Sequence, residues 1–265
     1  MTINGVSIVS LRKKTICKYL AKLSELEQRI YQATHNMGKM NLGSMLKSGK
    51  APTGQVVHIS DNFLRLRQAC CDPGLLLDAS KARVEKQIIK NEADEDDKNP
   101  QENADAQYTI SRELEQLCRS VEKDHVLPAK ARVLLSLLDR IYGQDPEAKV
   151  LIFAEWTKHL QRLLSQRSSS GYNFSPFHGE LSPNQRDEAQ AEYFPDGVNG
   201  SILTVGAGRV GSNLVKANIM IMLSPPWNPQ RDAQAMDRAY RIGQHLDVEV
   251  HRTFTLSMEL RTGYN

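Results

Sequence analysis

Two arginines three positions apart, Arg238 and Arg241, are the side chains with the clearest capacity for chemistry in this sequence. A guanidinium is planar, permanently charged and forked, which suits the oxygens of a phosphate better than a mobile ammonium does. They follow the string Ser224-Pro225-Pro226-Trp227-Asn228-Pro229, and the run from Asp232 to Gly243 has no internal Gly or Pro, so the pattern reads as a loop and then a helix ended by Gly243. On a helix this spacing puts both arginines on one face, with Cβ atoms about 5–6 Å apart and within reach of one polyanion. The same spacing also fits a solvated helix face pairing with Asp232 or Asp237.

Two further loops carry residues suited to anionic ligands. Gly206-Ala207-Gly208-Arg209-Val210-Gly211-Ser212-Asn213-Leu214 follows the apolar run Ser201 to Val205. Glycines between a strand and a helix let backbone N–H groups approach a phosphate and aim a helix N-terminus at it. Such turns also arise for backbone reasons alone. Phe177-His178-Gly179 leads into Gln185-Arg186, and a loop histidine such as His178 reads as a structural residue. Trp227, flanked by prolines, fits either a core plug or an aromatic face offered to a ligand.

Alternating strands and helices must hold these loops. Pro128 opens a periodic helix with Val133, Leu134, Leu137, Leu138 and Ile141 on one stripe, ended at Gly143. Lys149 to Ala154 is a short apolar run of the kind buried on both faces of a parallel sheet. Thr157 to Gln166 reads as the next helix, and Phe174–His178, Ser201–Val205, Ile219–Leu223 and Val248–Leu256 read as strands. Ser182-Pro183-Asn184-Gln185 is a capping box opening a helix to Phe194. The alternation predicts a doubly wound parallel α/β lobe over 126–265 with ligands outside the carboxyl ends of its strands. Before it, Ser24 and Glu27 cap a helix over Lys22 to His35, and a second helix over Ser60 to Cys71 stops at Pro73-Gly74. From Ala79 to His125 Lys, Glu, Asp, Asn and Gln dominate, which predicts a polar, partly disordered insertion.

The 265 residues are 40% hydrophobic and 25% charged, an ordinary globular balance, with a formal net charge of +3 that fits an anionic partner without demonstrating one. No apolar run approaches the roughly 18–20 residues of a membrane span. Cys17, Cys70, Cys71 and Cys118 have no Cys-x-x-Cys spacing and read as reduced thiols.

Gln234-Ala235-Met236-Asp237-Arg238-Ala239-Tyr240-Arg241-Ile242-Gly243-Gln244, with Trp227-Asn228-Pro229 before it, resembles the last motifs of SWI/SNF-type DNA-dependent ATPases in helicase superfamily two. Leu64 to Pro73 is similar to the inter-lobe segment of the family's repair-type branch, and Leu20 to Tyr31 to the end of its first lobe. The resemblance implies a RecA-like second helicase lobe preceded by a helical connector, with 1–78 as the end of the first lobe plus that connector. It implies that Arg238 and Arg241 are arginine fingers for the ATP γ-phosphate. It further implies nucleotide contacts from Gly208, Gly211 and Gln234, and DNA contacts from Arg186, Gly206, Trp227 and Asn228. The implied cofactors are ATP and Mg2+, the partners double-stranded DNA or a nucleosome and a first ATPase lobe, and the place of work the nucleus, in chromatin remodelling or repair. Arg209 and Ser212 stand where the family's glycine motif has Gly and Leu, and Ser224 where an acidic residue is usual.

A RING zinc module, present in several repair-type relatives, needs eight closely spaced Cys/His ligands, whereas the insertion has Cys118 and His125. The chain also carries no Gly-x-x-x-x-Gly-Lys-Ser/Thr loop and no Asp-Glu pair of the Walker type. The expectation is a lobe inactive by itself, with ATP and Mg2+ held mainly by a first lobe. The alternative is a non-catalytic module that keeps only DNA or partner contacts; an RNA helicase is a third reading, which the Arg-Ile-Gly-Gln ending disfavours.

Overall fold

The chain folds around a parallel sheet whose middle strand is apolar at every position. The computed structural model describes residues 2–3, 6–7, 11–47, 52–79, 112–121, 123–124, 126–166, 171–177, 198–204, 214–226 and 228–255. Val150–Ala154 (β4) is buried along its whole length. Around it lie Phe174–Phe177 (β5), Gly200–Thr204 (β6), Ile219–Met222 (β7), Val248–Thr255 (β8) and Lys14–Ala21 (β3), in the order β3-β8-β7-β4-β6-β5 with every pairing parallel. Thr2–Ile3 (β1) and Val6–Ser7 (β2) form a separate antiparallel pair. At Gly200 a Cβ would lie 1.9 Å from the Val150 carbonyl oxygen, so only glycine lets β6 approach β4 there.

Because strand side chains alternate, the parallel register sorts the sheet into two faces. On one, Leu151, Phe153, Met220, Met222, Val248 and Val250 bury against Ala235, Met236 and Ala239. On the other, the helix Ala129–Gln144 reaches Tyr19 of β3, whose hydroxyl accepts from Arg140 Nη2 at 2.6 Å. Leu134, Leu137, Leu138 and Ile141 of that helix are buried, as its periodicity requires, while Val133 is only half-buried. The doubly wound parallel α/β architecture is therefore as expected, and Thr157–Gln166 is helical over its expected limits. The expected helix at 182–194 lies outside the described residues.

Lys14–Ala21, a strand that the sequence pattern does not single out, pairs with β8 along all eight positions. Among the described residues, those of 2–21 and 130–255 form one compact unit and those of 22–129 a second.

In the second unit, Glu25–Lys47 (α1) and Pro52–Cys71 (α2) both exceed the lengths their hydrophobic periods indicate. The Asn62 amide of α2 donates to the Gly38 carbonyl of α1 at 3.3 Å, and side-chain packing of this kind sustains helix where the apolar pattern is weak. The predicted capping box is present: Ser24 N donates to Glu27 Oε2 at 2.8 Å and Glu27 N to Ser24 Oγ at 3.3 Å. Glu27 is 1% exposed and its other oxygen accepts from Ala129 N at 2.7 Å, closing the unit on itself across 102 residues. Within the polar insertion, residues 112–121 are helical and bury Leu114, Cys118 and Val121 against Ile30, Ala69, Leu76 and Leu77. Average composition hid that apolar stripe. Among the described residues no helix is long and apolar enough to cross a membrane.

The helices of the first unit are numbered onward as α3 (Ala129–Gln144) and α4 (Thr157–Gln166). Two measurements test these packing roles. Glu27→Ala strands the Ala129 N–H and removes a cap, and is expected to lower stability by about 2–3 kcal/mol in urea titration. His251 of β8 is 1% exposed, and burial, seconded by the Arg140 charge, pulls its pKa below the ordinary 6.5 although Glu249, 3.5 Å away, pulls it up. The folded state therefore binds the proton more weakly than the unfolded chain: the contribution is complete above pH 6.5 and is lost as pH falls toward the depressed value. Unfolding free energy measured below pH 6.5 should fall less steeply in His251→Phe than in the wild type.

Candidate functional site

Asn228 and Pro229 start the segment that carries the arginines. Asn228 has extended backbone angles and its Oδ1 accepts from Gln230 N at 2.9 Å, while Pro229 occupies the first turn, where its missing N–H leaves nothing unpaired. The resulting helix, Pro229–Met236 (α5), turns Ala235 and Met236 into the sheet. Asp232, which the sequence offers as a surface partner for the arginines, is instead 2% exposed and paired with Arg252 of β8. Arg252 also lies 3.8 Å from the Met236 sulfur. Burial raises the Asp232 carboxyl above its ordinary pKa, and the Arg252 charge and hydrogen bond partly reverse the shift. The acid thus ties α5 to the sheet and leaves Arg238 and Arg241 to other contacts.

The helix does not extend to Gly243. It is capped at Asp237, and the bonds that follow are mixed in span: Tyr240 N to Met236 O (3.0 Å) keeps the four-residue span, while Arg238 N to Ala235 O (3.3 Å), Ala239 N to Met236 O (3.2 Å), Arg241 N to Ala239 O (3.2 Å) and Gln244 N to Arg241 O (3.1 Å) are shorter. Arg238 and Arg241 therefore stand on successive turns, the first half-buried and the second exposed, and do not share a helix face. Ala239 is fully buried and Tyr240 packs on the same core, with Lys14 Nζ 4.5 Å from its ring centroid.

The end of the motif pins the turn. Gln244 is 7% exposed, and its Nε2 lies 3.0 Å from Ala217 O, 3.1 Å from Val215 O and 3.4 Å from Ala239 O. An amide has two N–H groups, so the two shorter contacts take the donors and the third is the weakest. Its Oε1 accepts from Leu246 N at 2.9 Å. Gly243 has φ +99°, a conformation that costs any residue with a Cβ. In the string Arg-Ile-Gly-Gln, the last two residues thus shape the backbone that holds the first.

Position in the sheet also differs from expectation. Val215 and Ala217 precede β7, and Asp247 precedes β8, where Asn218 Nδ2 donates to its carbonyl at 3.2 Å and Lys13 N to its Oδ1 at 3.2 Å. The arginine turn consequently lies toward the amino ends of β7 and β8. The loop carrying Trp227 leaves the carboxyl end of β7, and eight-residue α5, about 12 Å long, spans the difference.

Of the other candidates, Gln234 is exposed on α5 and Asn228 is exposed at its cap. Arg186, Gly206, Gly208, Gly211 and Trp227 lie outside the described residues, as do His178, Arg209 and Ser212. Sequence reading missed Gln244, Asp232 and Arg252 as the ties of this segment. An acid in the first turn of a helix is a weak signal for a tie, and no local pattern pairs it with a residue of a later strand.

Gly243→Ala is expected to cost about 1–2 kcal/mol through backbone strain. Gln244→Leu, which leaves buried carbonyls unpaired, is expected to cost roughly 2–3 kcal/mol. Denaturant unfolding gives both values, and equal stability of Gln244→Leu and wild type would show that the pin is not needed.

Residues 129–243 match the family model described as the helicase conserved C-terminal domain. The mouse DNA excision repair protein ERCC-6-like 2 is 38% identical over 128 residues, 48% of this chain and 8% of that protein. The Arabidopsis thaliana ATP-dependent DNA helicase DDM1 is 37% identical over 135 residues, 50% of this chain and 17% of that protein. The chain therefore spans a small part of these relatives. Among solved structures, the C-terminal part of the Fun30 ATPase domain superposes with a TM-score of 0.65 at 23% identity, over 97% of this chain and 91% of that one. The Pyrococcus furiosus Hef helicase domain gives 0.59 at 12% identity, over 93% and 56%. Parallel sheet and motif order agree with these likenesses: residues 129–243 match the helicase conserved C-terminal domain, and the sheet has the fold of the two solved helicase structures.

Proposed function

We propose that this chain supplies the second RecA-like lobe of an ATP-dependent DNA translocase of the SWI/SNF type, working in the nucleus in chromatin remodelling or DNA repair. The observation that carries this reading is the pinned turn. Gly243 and Gln244 fix the backbone that follows Arg241, so the turn carrying the arginines needs little backbone ordering on binding. Positive charge on a fixed backbone suits a phosphoryl group that gains negative charge in the transition state.

In this reading Arg238 and Arg241 act as arginine fingers on the γ-phosphate of ATP held, with Mg2+, by a first lobe. Gln234 and the glycines at 208 and 211 contribute nucleotide contacts. Arg186, Gly206, Trp227 and Asn228 face duplex DNA or a nucleosome. Asn228 already spends its Oδ1 on the cap of α5, so its contribution to DNA falls to the rest of the side chain. A non-catalytic DNA- or partner-binding module is the second reading. It is favoured by Ser224, which is 2% exposed where an acidic residue is usual, and by Arg209 and Ser212 in the glycine loop.

The test supplies a relative's first lobe in trans. The chain alone should show no ATP hydrolysis, the mixture should show DNA-stimulated hydrolysis, and Arg241→Ala should reduce that rate by about 10³–10⁵-fold, the range for arginine fingers elsewhere. Restored hydrolysis that Arg241→Ala leaves untouched sinks the finger assignment. DNA binding without any restored hydrolysis selects the non-catalytic module.

A further inference from the structure

A fully buried lysine sits where the functional segment begins. Lys130, in the first turn of α3, is 0% exposed, and its Nζ donates to the carbonyl oxygen of Leu223 at 2.7 Å. Burying an ammonium costs far more than burying a methionine of similar length, so its presence calls for a use that an apolar side chain would not serve.

Leu223 occupies a particular point in the chain. It is the first residue after β7, and its N–H makes the last bond to the neighbouring strand, to Phe153 O at 3.0 Å. There the ladder stops, and the Leu223 carbonyl is taken over by side chains. Besides Lys130, the Thr253 hydroxyl of β8 lies 2.8 Å from the same oxygen and 3.2 Å from Met222 O. A backbone carbonyl has two lone pairs, and two donors from two different elements fill them. The chain then runs through Ser224, Pro225 and Pro226, all buried, to the exposed Asn228 cap of α5. The two prolines have no N–H to donate to a ladder, and the doubly held carbonyl before them is one fixed point from which the loop departs.

We propose that Lys130, with Thr253, is a positioning residue for the Leu223–Asn228 loop: the ammonium of α3 clamps the first carbonyl beyond β7 and so fixes the start of the segment leading to α5. The placement stands on the geometry around Leu223. Its consequence for DNA rests on the reading of that loop proposed above.

A merely structural lysine and a positioning lysine behave differently when replaced. Lys130→Met keeps the stem and removes the charge, so the global unfolding midpoint should hold or rise, while hydrogen exchange at the amides of Ser224, Trp227, Asn228 and the first turn of α5 should quicken by roughly tenfold. Exchange in β4 and β6 should stay as in the wild type. Thr253→Val, which removes the other donor to the same oxygen, should give the same local signature. It carries the test alone if Lys130→Met does not fold. Exchange that is unchanged over 224–232 in the variant, or that quickens evenly across the sheet, overturns the proposal. Affinity for a short DNA duplex is measured on the same samples. A quickened loop with weakened duplex binding supports both readings, whereas a quickened loop with unchanged binding upholds the clamp and removes the loop from the DNA contact.

Discussion

Every strand of a parallel ladder must begin at the same edge, so the chain that leaves one strand has to cross the whole sheet before it can enter the next. That constraint governs the segment from Leu223 to Gln244. It leaves β7 at the carboxyl edge, crosses as α5 and reaches β8 from the amino edge. The loop that begins at Leu223 and the turn with Arg238 and Arg241 are therefore the two ends of one crossover, and an eight-residue helix connects them.

Polar groups are buried wherever the ladder gives out. Lys130 and Thr253 take the Leu223 carbonyl after β7, Arg252 takes Asp232 of α5, Gln244 takes the carbonyls of Val215 and Ala217 before β7, and Glu27 takes the N–H of Ala129. Each such group costs desolvation, and each is bonded to a partner through at least one atom, although Asp232 Oδ1 and Arg252 Nε make no hydrogen bond among the described residues. Apolar contact alone holds the sheet and its helices together but is indifferent to small slips, whereas a directional bond is not. The crossover is thus held at its start, its helix and its end by three ties that hydrophobic packing could not replace.

Much of the fold was legible because it depends on short-range pattern. Val150 to Ala154 is continuous apolar chain and became the central strand; the stripe Leu134, Leu137, Leu138, Ile141 became the inner face of α3; Ser24 and Glu27 formed their capping box. The limits of α1 and α2 were not legible, since polar residues such as Asn62 extend them through contacts between the helices. Nor was the helical stretch 112–121, whose three buried residues are diluted by charged neighbours.

For the site, the sequence by itself determined the residue types and their order: two arginines, a glycine that must take positive φ, a glutamine, and an Asn-Pro pair that starts a helix. Those follow from chemistry within a few residues. Only the tertiary structure decided that the helix stops at Met236, that Asp232 pairs with Arg252, that Lys14–Ala21 joins this sheet, and that the arginines lie toward its amino ends. The reason is that each of these depends on a partner far along the chain, and a local run of residues carries no record of which distant carbonyl, guanidinium or strand edge will meet it.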